Sequence, residues 1–481
     1  MARFSETMGP GDSFKNFNAS DKAVLVNGLT IEDPTISPHP RKQRARRLTH
    51  NLRVSQADAA AFGVMVGLGE TYLPLFVLTV GLSEVMSGLV VSVPVLLGGL
   101  LQMVSPWAVG LLKSHKRWVV FCSMLQAASF VPLIWASVVG HIPPWAALAV
   151  ASVFWAGGLG TGPAWNVWIG TLVPRSIRAH FFAKRTRLQQ LTVLAGFLGG
   201  GFALQYGNEH DCVLTVFGVL FAIACVCRVL SALFLAAQHE PEPLPLDRRR
   251  VPVLAQLRTY RHSAGGRLLF YIIVVQFGVW ITGPFFAPYM REKLHFSYVD
   301  YSVLIAFSFV FKILALPLCG RLAKRWGARR LLTLGGIGIV PMAGMWSISD
   351  NYAWLCLTQI TAGVCWAAYE LAFFLLFFES IPADERVSVL TLFNLLNSAA
   401  LAAGALLGGA ILHFAGEAQW AYQALFALSS VWRALALIFL WRVPHIEVTG
   451  DAVGVQIEEL RPTGEALDGP ILSSLPDETR R

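Results

Sequence analysis

Two carboxylates, Glu70 and Glu370, lie inside apolar stretches about as long as a membrane span, and so does one lysine, Lys312. A charge in hydrocarbon is costly, so such a side chain normally faces protein or water and is often functional. Burial favours the neutral form of a carboxyl group, which opens the way to proton exchange. Two uses follow: coupling a solute to protons, or binding a cationic group. A hydrogen bond or ion pair between helices is an equally weighted structural use. Lys312 is the natural basic partner for either acid, but its stem also lets the ammonium snorkel toward a membrane face roughly two turns away, and that second reading is preferred. Arg228 and Arg433 also sit in apolar runs, near their ends. Their repetition points to snorkelling or to capping of a helix end rather than to solute contact.

Polar and aromatic residues gather in the same stretches. Gly158, Gly162, Asn166 and Gly170 recur every four residues and make a small, partly polar stripe on which another helix can approach closely. Trp165 and Trp168 flank the stripe, and Gly162-Pro163 should loosen the helix there. Further on stand Gln276, Trp280 and Thr282 before a Gly283-Pro284 break, then Trp366 and Tyr369, then Asn394 and Asn397. Gly196-x-x-x-Gly200 and Gly404-x-x-x-Gly408 are close-packing motifs. Amides and aromatics around a cavity suit neutral or amphipathic organic solutes, although for any single Trp packing is the better expectation.

The elements that must position these residues follow from composition. The 481 residues are 55% hydrophobic and 14% charged, with a mean hydropathy of +0.56. A soluble domain is about 25% charged, so a membrane protein is expected. The net charge of +9 comes in short basic clusters between apolar runs, a topology signal rather than a nucleic-acid face. Six of the seven cysteines lie in apolar runs without metal or redox spacing, so neither a disulfide framework nor a metal is implied, and no cofactor is expected. Asn18-Ala19-Ser20 fits a glycosylation sequon by chance, and the first fifty residues hold no signal-peptide core.

Twelve apolar spans are expected, at residues 57–80, 86–112, 118–139, 144–173, 188–206 and 214–237, then 268–290, 298–319, 331–349, 353–380, 388–413 and 420–441. This gives a disordered basic tail over 1–50, a six-helix bundle over 51–237, a polar linker over 238–266, a second bundle over 267–442 and an acidic tail over 443–481. Loops carrying Lys113/Lys116/Arg117, Arg175–Arg187, Arg248–Arg250, Gly320–Arg330 and Arg386 belong to the cytoplasmic side. Loops carrying Glu84, Glu209/Asp211, Asp350 and Glu417 belong outside, with Arg291/Lys293 as the basic exception. Both termini are then cytoplasmic, in a cell or inner membrane.

The halves repeat each other. Residues 220–235 (LFAIACVCRVLSALFL) and 425–440 (LFALSSVWRALALIFL) align, placing Arg228 on Arg433. Pro174, Arg178, Gly196 and Gly200 match Pro382, Arg386, Gly404 and Gly408 at one offset, and Pro74/Pro284 and Gly110/Gly320 share another.

Between spans 8 and 9 the chain reads G-R-L-A-K-R-W-G-A-R-R over Gly320–Arg330. Gly320, Leu322, Ala323, Arg325, Gly327, Arg329 and Arg330 match the loop signature Gly-x-Leu-Ala-Asp-Arg-x-Gly followed by basic residues. With the parallel six-helix repeat, residues 50–442 resemble the major facilitator superfamily of secondary transporters. The resemblance implies an all-α membrane fold of two pseudo-symmetric six-helix bundles with a mid-membrane cavity between them. It implies that spans 1, 4, 7 and 10 line the cavity, that 2, 5, 8 and 11 flank it, and that 5 and 11 meet across the half interface. Glu70, Asn166, Trp165, Gln276, Trp280, Tyr369, Glu370, Asn394 and Asn397 are the implied solute or proton-coupling residues.

The signature's acid is Lys324 here, and a helix N-terminus repels a cation. A latch of reversed polarity is therefore expected, with Lys324 or Arg325 facing Asp384 or Glu385. Proline is absent from span 5, a departure from the Gly-Pro signature of some proton-linked drug exporters. The function expected is alternating-access movement of a small organic solute by a monomer in the lipid bilayer, with protons as the candidate coupling ion. A transporter-like sensor and a membrane-embedded enzyme are the competing classes. For an enzyme, no H-E-x-x-H, G-x-S-x-G or Cys/His grouping is present, and no Walker A sequence occurs.

Overall fold

The computed structural model describes residues 39–173, 175–240, 263–381 and 386–441. They divide between two compact units, Met1–Thr49 and His50–Arg481. From the first unit the description covers residues 39–49, which are helical. The basic run Arg41–Arg47 is thus helical, where a disordered tail was expected. Residues 1–38, the linker from 241 to 262 and the tail from 442 lie outside the described residues.

The helices are α1 (Arg46–Thr79), α2 (Glu84–Leu112), α3 (His115–Val139), α4 (Pro144–Leu172), α5 (Arg175–Glu209), α6 (Val213–Ala237), α7 (Gly265–Lys293), α8 (Tyr298–Trp326), α9 (Ala328–Ile339), α10 (Tyr352–Ser380), α11 (Arg386–Phe414) and α12 (Gln419–Leu440). Helices are what apolar chain must form in hydrocarbon, where backbone groups can bond only within their own segment. Ten of these segments are long and apolar enough to cross a membrane. The other two are α5 and α9. The first turns of α5 carry Lys184, Arg185, Arg187, Gln189 and Gln190, and α9 stops at Ile339, before Pro341, resuming as a 3-10 turn at Gly344–Ser347.

Helix packing repeats with the sequence. In the first half α2 and α3 pack on α4, and α1 on α5; in the second, α8 and α9 pack on α10, and α7 on α11. The halves join through α2 with α11 and α5 with α8. This corrects the expected meeting of spans 5 and 11 and the role of their glycines. Gly196 and Gly200 lie against Gly67 and Tyr72 of α1, and Gly404 and Gly408 against Ile281 of α7, so both motifs close a joint inside one half. Other small residues sit at the half interface: Gly201 faces Ser302, and Gly99 faces Ser398.

Two helices are broken at matching places. In α1 a π-helical turn, Val66–Glu70, precedes Pro74; in α7 the helix stops at Trp280 and a 3-10 turn holds Pro284. A proline lacks the N–H that would bond the carbonyl four residues back. Those carbonyls belong to Glu70 and Trp280, which share the 210-residue offset of the prolines.

Candidate functional site

The firmest polar feature of the second half joins α8 to α10. Lys312 Nζ lies 2.6 Å from both carboxylate oxygens of Glu370. The lysine side chain is 4% exposed and the glutamate 16%. Lys312 therefore does not snorkel to a membrane face. Gly363 brings the two helices together, because a Cβ there would collide with the Ser308 carbonyl and meet the Lys312 amide nitrogen at 3.0 Å. Two charges out of water are tolerable when they face each other at this range.

Glu70 is also buried, within the π-helical turn of α1, and its neighbour Gly69 packs on Phe130 and Ala224.

The amides form a second group. Gln276 of α7 is fully buried, and neither of its side-chain polar atoms has a hydrogen-bond partner among the described residues. The same holds for both amide atoms of Asn394, for Asn397 Oδ1, and for the indole N–H of Trp280. Asn394, Asn397, Leu401, Gly404 and Gly408 follow 3-4-3-4 spacing, a single face of α11, and Gly404 on that face touches Phe277, Trp280 and Ile281. Gln276, Trp280, Asn394 and Asn397 thus belong to one α7–α11 seam. Each buried amide without a partner costs about 1–3 kcal/mol, so the seam is stocked with hydrogen-bonding capacity that folding leaves unused.

In α4, Asn166 Oδ1 is likewise buried without a partner among the described residues, and among them Gly162 has the Gln102 amide nitrogen nearest, at 3.9 Å from where a Cβ would stand. The glycine stripe is used unevenly: Gly158 rests on Gln126 of α3 and Gly162 leaves open space. Despite Pro163, α4 is one continuous helix.

Two candidates have other employment. Tyr369 is fully buried; its ring meets Tyr271 and Trp366, and its backbone lies against Gly335 of α9, so it packs the interior of the second half. Trp165 lies 4.5 Å from the Arg185 guanidinium. Arg185, expected in a cytoplasmic loop, is a helix residue that pairs with Asp58 of α1 at 3.0 Å. Asp58 also accepts from Ser231 at 2.7 Å, and Ser231 accepts from Arg228 at 2.8 Å. Four helices are clasped by this cluster, which sequence reasoning missed because Arg185 was read as topology. Arg228 is buried over Phe62, and Arg433 donates to the Ile339 carbonyl at 3.0 Å, so both arginines sit inside the bundle and Arg433 caps the end of α9.

The polar contacts that bridge the halves gather at the end opposite the basic loops. Lys293 Nζ lies 2.6 Å from Glu84 Oε1, and Tyr422 donates to the other Glu84 oxygen. Glu417 accepts from the Glu84 and Val85 amides at 3.4 and 3.3 Å, placing a carboxylate on the N-terminus of α2. Arg291 reaches Asn208 at 3.3 Å, and Gln205 accepts from the Tyr298 amide at 3.2 Å. The basic exception in the loop charges is thereby explained: Lys293 and Arg291 hold the halves together among acids and amides. That anomaly was the available signal.

At the basic end, Gly320–Trp326 is the last part of α8 and not a loop; the turn is at Gly327, whose φ of +86° only glycine adopts readily. Lys324, Arg325 and Arg330 are exposed and Arg329 is half-buried. Asp384 and Glu385, the other side of the expected latch, lie outside the described residues. Nearby, Glu240 accepts from the His115 and Lys116 amides at 2.7 and 3.2 Å and from Ser114, capping α3. His239 is held by Asn51 and Trp168, at 3.1 and 3.2 Å.

A family model described as Major Facilitator Superfamily matches residues 268–472. That stretch, which holds most of α7 and all of α8 to α12, thus resembles the major facilitator superfamily. Among solved structures, a mutant of the nucleoside transporter NupG is similar with a TM-score of 0.62 at 12% identity, over 82% of this chain and 99% of that one. A bacterial homolog of the human lysosomal transporter Spinster, inward-facing and unoccupied, has a TM-score of 0.60 at 14% identity, over 83% and 96%. An auto-inhibited POT family peptide transporter has 0.59 at 11%, over 85% and 99%. No curated protein matches the sequence. These likenesses show the fold that the chain shares with those proteins, and its apolar helices fit a multi-pass membrane protein.

Proposed function

We propose that the chain is a secondary transporter that moves a small organic solute by alternating access, with both termini in the cytoplasm of a cell or inner-membrane protein. The observation that carries this reading is the polar closure of one end by Lys293, Glu84, Tyr422 and Glu417, contributed by both halves. A reversible closure across two packed bodies is what alternating access requires, and loop charge makes that end the outer one. The resting form is then open toward the cytoplasm. The solute site lies between the halves, at the depth of the Lys312–Glu370 pair, with the unpartnered α7–α11 amides beside it. Glu70 and Glu370 are the groups through which protons would couple.

Neutral or amphipathic solutes suit this lining better than multiply charged anions, which call for arginine pairs. Nucleosides and peptides enter the first panel because the similar structures include transporters of those solutes. The test is counterflow into proteoliposomes loaded with each member of the panel, with Glu70→Gln and Glu370→Gln followed across pH. Saturable counterflow of one solute supports transport. If no member exchanges while the purified protein still binds one in a thermal-shift screen, the transport reading fails in favour of a sensor.

A further inference from the structure

The half repeat extends to contacts between helices, and it exposes one difference at the site. In the first half Gly98 of α2 packs on Trp155 of α4, its Cβ position 2.8 Å from the Trp155 carbonyl oxygen. In the second half Ser308 of α8 packs on Gly363 of α10. The offsets are 308 − 98 = 210 and 363 − 155 = 208, those already seen at Gly110/Gly320 and Gly196/Gly404. One turn further along α2 and α8, and two turns further along α4 and α10, the same register pairs Gln102 with Lys312 and Gly162 with Glu370. Where the second half carries a closed ion pair, the first carries an amide beside a glycine. Among the described residues the space at the Gly162 Cβ position is open, with Gln102 Nε2 on its rim at 3.9 Å. Asn166 stands one turn beyond Gly162 on the same face, and its buried Oδ1 has no partner among the described residues. The equivalent of Asn166 in the second half is Phe374.

We infer that Gln102, Gly162 and Asn166 form a subsite on the first-half wall that takes the edge of an uncharged solute carrying a hydrogen-bond donor and acceptor side by side, as in a carboxamide, lactam or imide. The inference rests on the transporter reading for its place in the cavity. Gln102 offers an N–H to the solute's carbonyl, and Asn166 Oδ1 accepts from its N–H. Gly162 supplies the depth that lets a flat edge approach the helix backbone. A fixed charge would find no counter-charge among these three residues, and across the cavity the Lys312–Glu370 pair is already neutralised. A buried amide left unmatched also penalises solutes lacking the edge, which makes such a subsite selective.

The test uses purified full-length protein with uracil, nicotinamide and cyclo(Gly-Gly) as edge-bearing probes, and glucose, lysine and citrate as contrasts. Thermal shift is read beside proteoliposome counterflow. At least one edge-bearing probe should stabilise the protein, with its apparent affinity lowered about tenfold or more by Gln102→Met and by Gly162→Leu. N-methylation of the probe's amide should weaken binding to a similar extent. Gly162→Ala, which adds only a methyl into open space, serves as the fold control for Gly162→Leu. The inference is overturned if no edge-bearing probe stabilises the protein, if only a contrast solute does, or if Gln102→Met and Gly162→Leu bind as the parent does. Binding with these dependences but without counterflow preserves the subsite and refutes transport. Counterflow of a charged solute alone does the reverse.

Discussion

Removing one member of the Lys312–Glu370 pair should damage the protein far more than removing both. Lys312→Met leaves a carboxylate that is 16% exposed, with its 2.6 Å partner gone. Breaking a buried pair this way costs about 3–5 kcal/mol; the partial exposure of Glu370 places the loss near the lower end. That corresponds to roughly a hundredfold change in the folded-to-unfolded ratio. Lys312→Met with Glu370→Gln removes both charges and should return stability to within about 1 kcal/mol of the parent. The exchange Lys312→Glu with Glu370→Lys restores an ion pair, and stability with it, yet it moves the partly exposed carboxylate from α10 to α8. If Glu370 addresses the solute, counterflow should stay low in the exchanged protein. Unfolding of detergent-solubilised protein in denaturant, followed by tryptophan fluorescence, measures the first quantity, and counterflow the second. Equal stability of Lys312→Met and the parent would refute the ion pair; full counterflow in the exchanged protein would reduce the pair to structure.

Glu84→Gln and Lys293→Met should each shift the resting population toward the form open at the outer end, read as increased labelling of a cysteine placed at Gln205 in intact vesicles; unchanged labelling would mean that the closure depends on packing alone. Glu417→Ala deletes the carboxylate at the α2 N-terminus and should cost about 1 kcal/mol in unfolding measurements, with no further loss when combined with Glu84→Gln if the two act as one latch. Asp58→Asn leaves Arg185 without its 3.0 Å counter-ion and should lower thermal stability more than Arg185→Met with Asp58→Asn does. Gly335→Leu, whose Cβ alone would stand 2.6 Å from the Tyr369 amide nitrogen, should yield protein that fails to survive size-exclusion chromatography.

Ten of the twelve expected spans, the half repeat and the break before Pro284 were legible because each rests on local composition or on proline chemistry. The gap between Lys312 and its observed position arose from treating a long basic side chain by distance along one helix. What decided its direction was Glu370 on a neighbouring helix, with Gly363 bringing the helices close. Arg185 and Asp58 were missed for the same reason: their spacing in sequence is 127 residues, and only the α1–α5 joint brings them together. The glycine motifs were recognised but given the wrong partner, since G-x-x-x-G reports close approach without saying which helix approaches. Gln102 offered no signal until the repeat was followed through contacts between helices. The reversed latch at Lys324 rests on Asp384 and Glu385 and stands as an expectation.

The clasp at Glu240 sets the mechanics of the tether between the halves. Because Gln238–Glu240 is fastened onto α1, α3 and α4, the covalent connection effectively starts at Glu240 and ends at Ser263, where α7 is capped by the serine side chain. Those 23 residue steps bound the contour of the connection at about 80 Å. Under the proposed alternating access, the α2–α11 and α5–α8 joints are the surfaces that the two halves would have to rearrange.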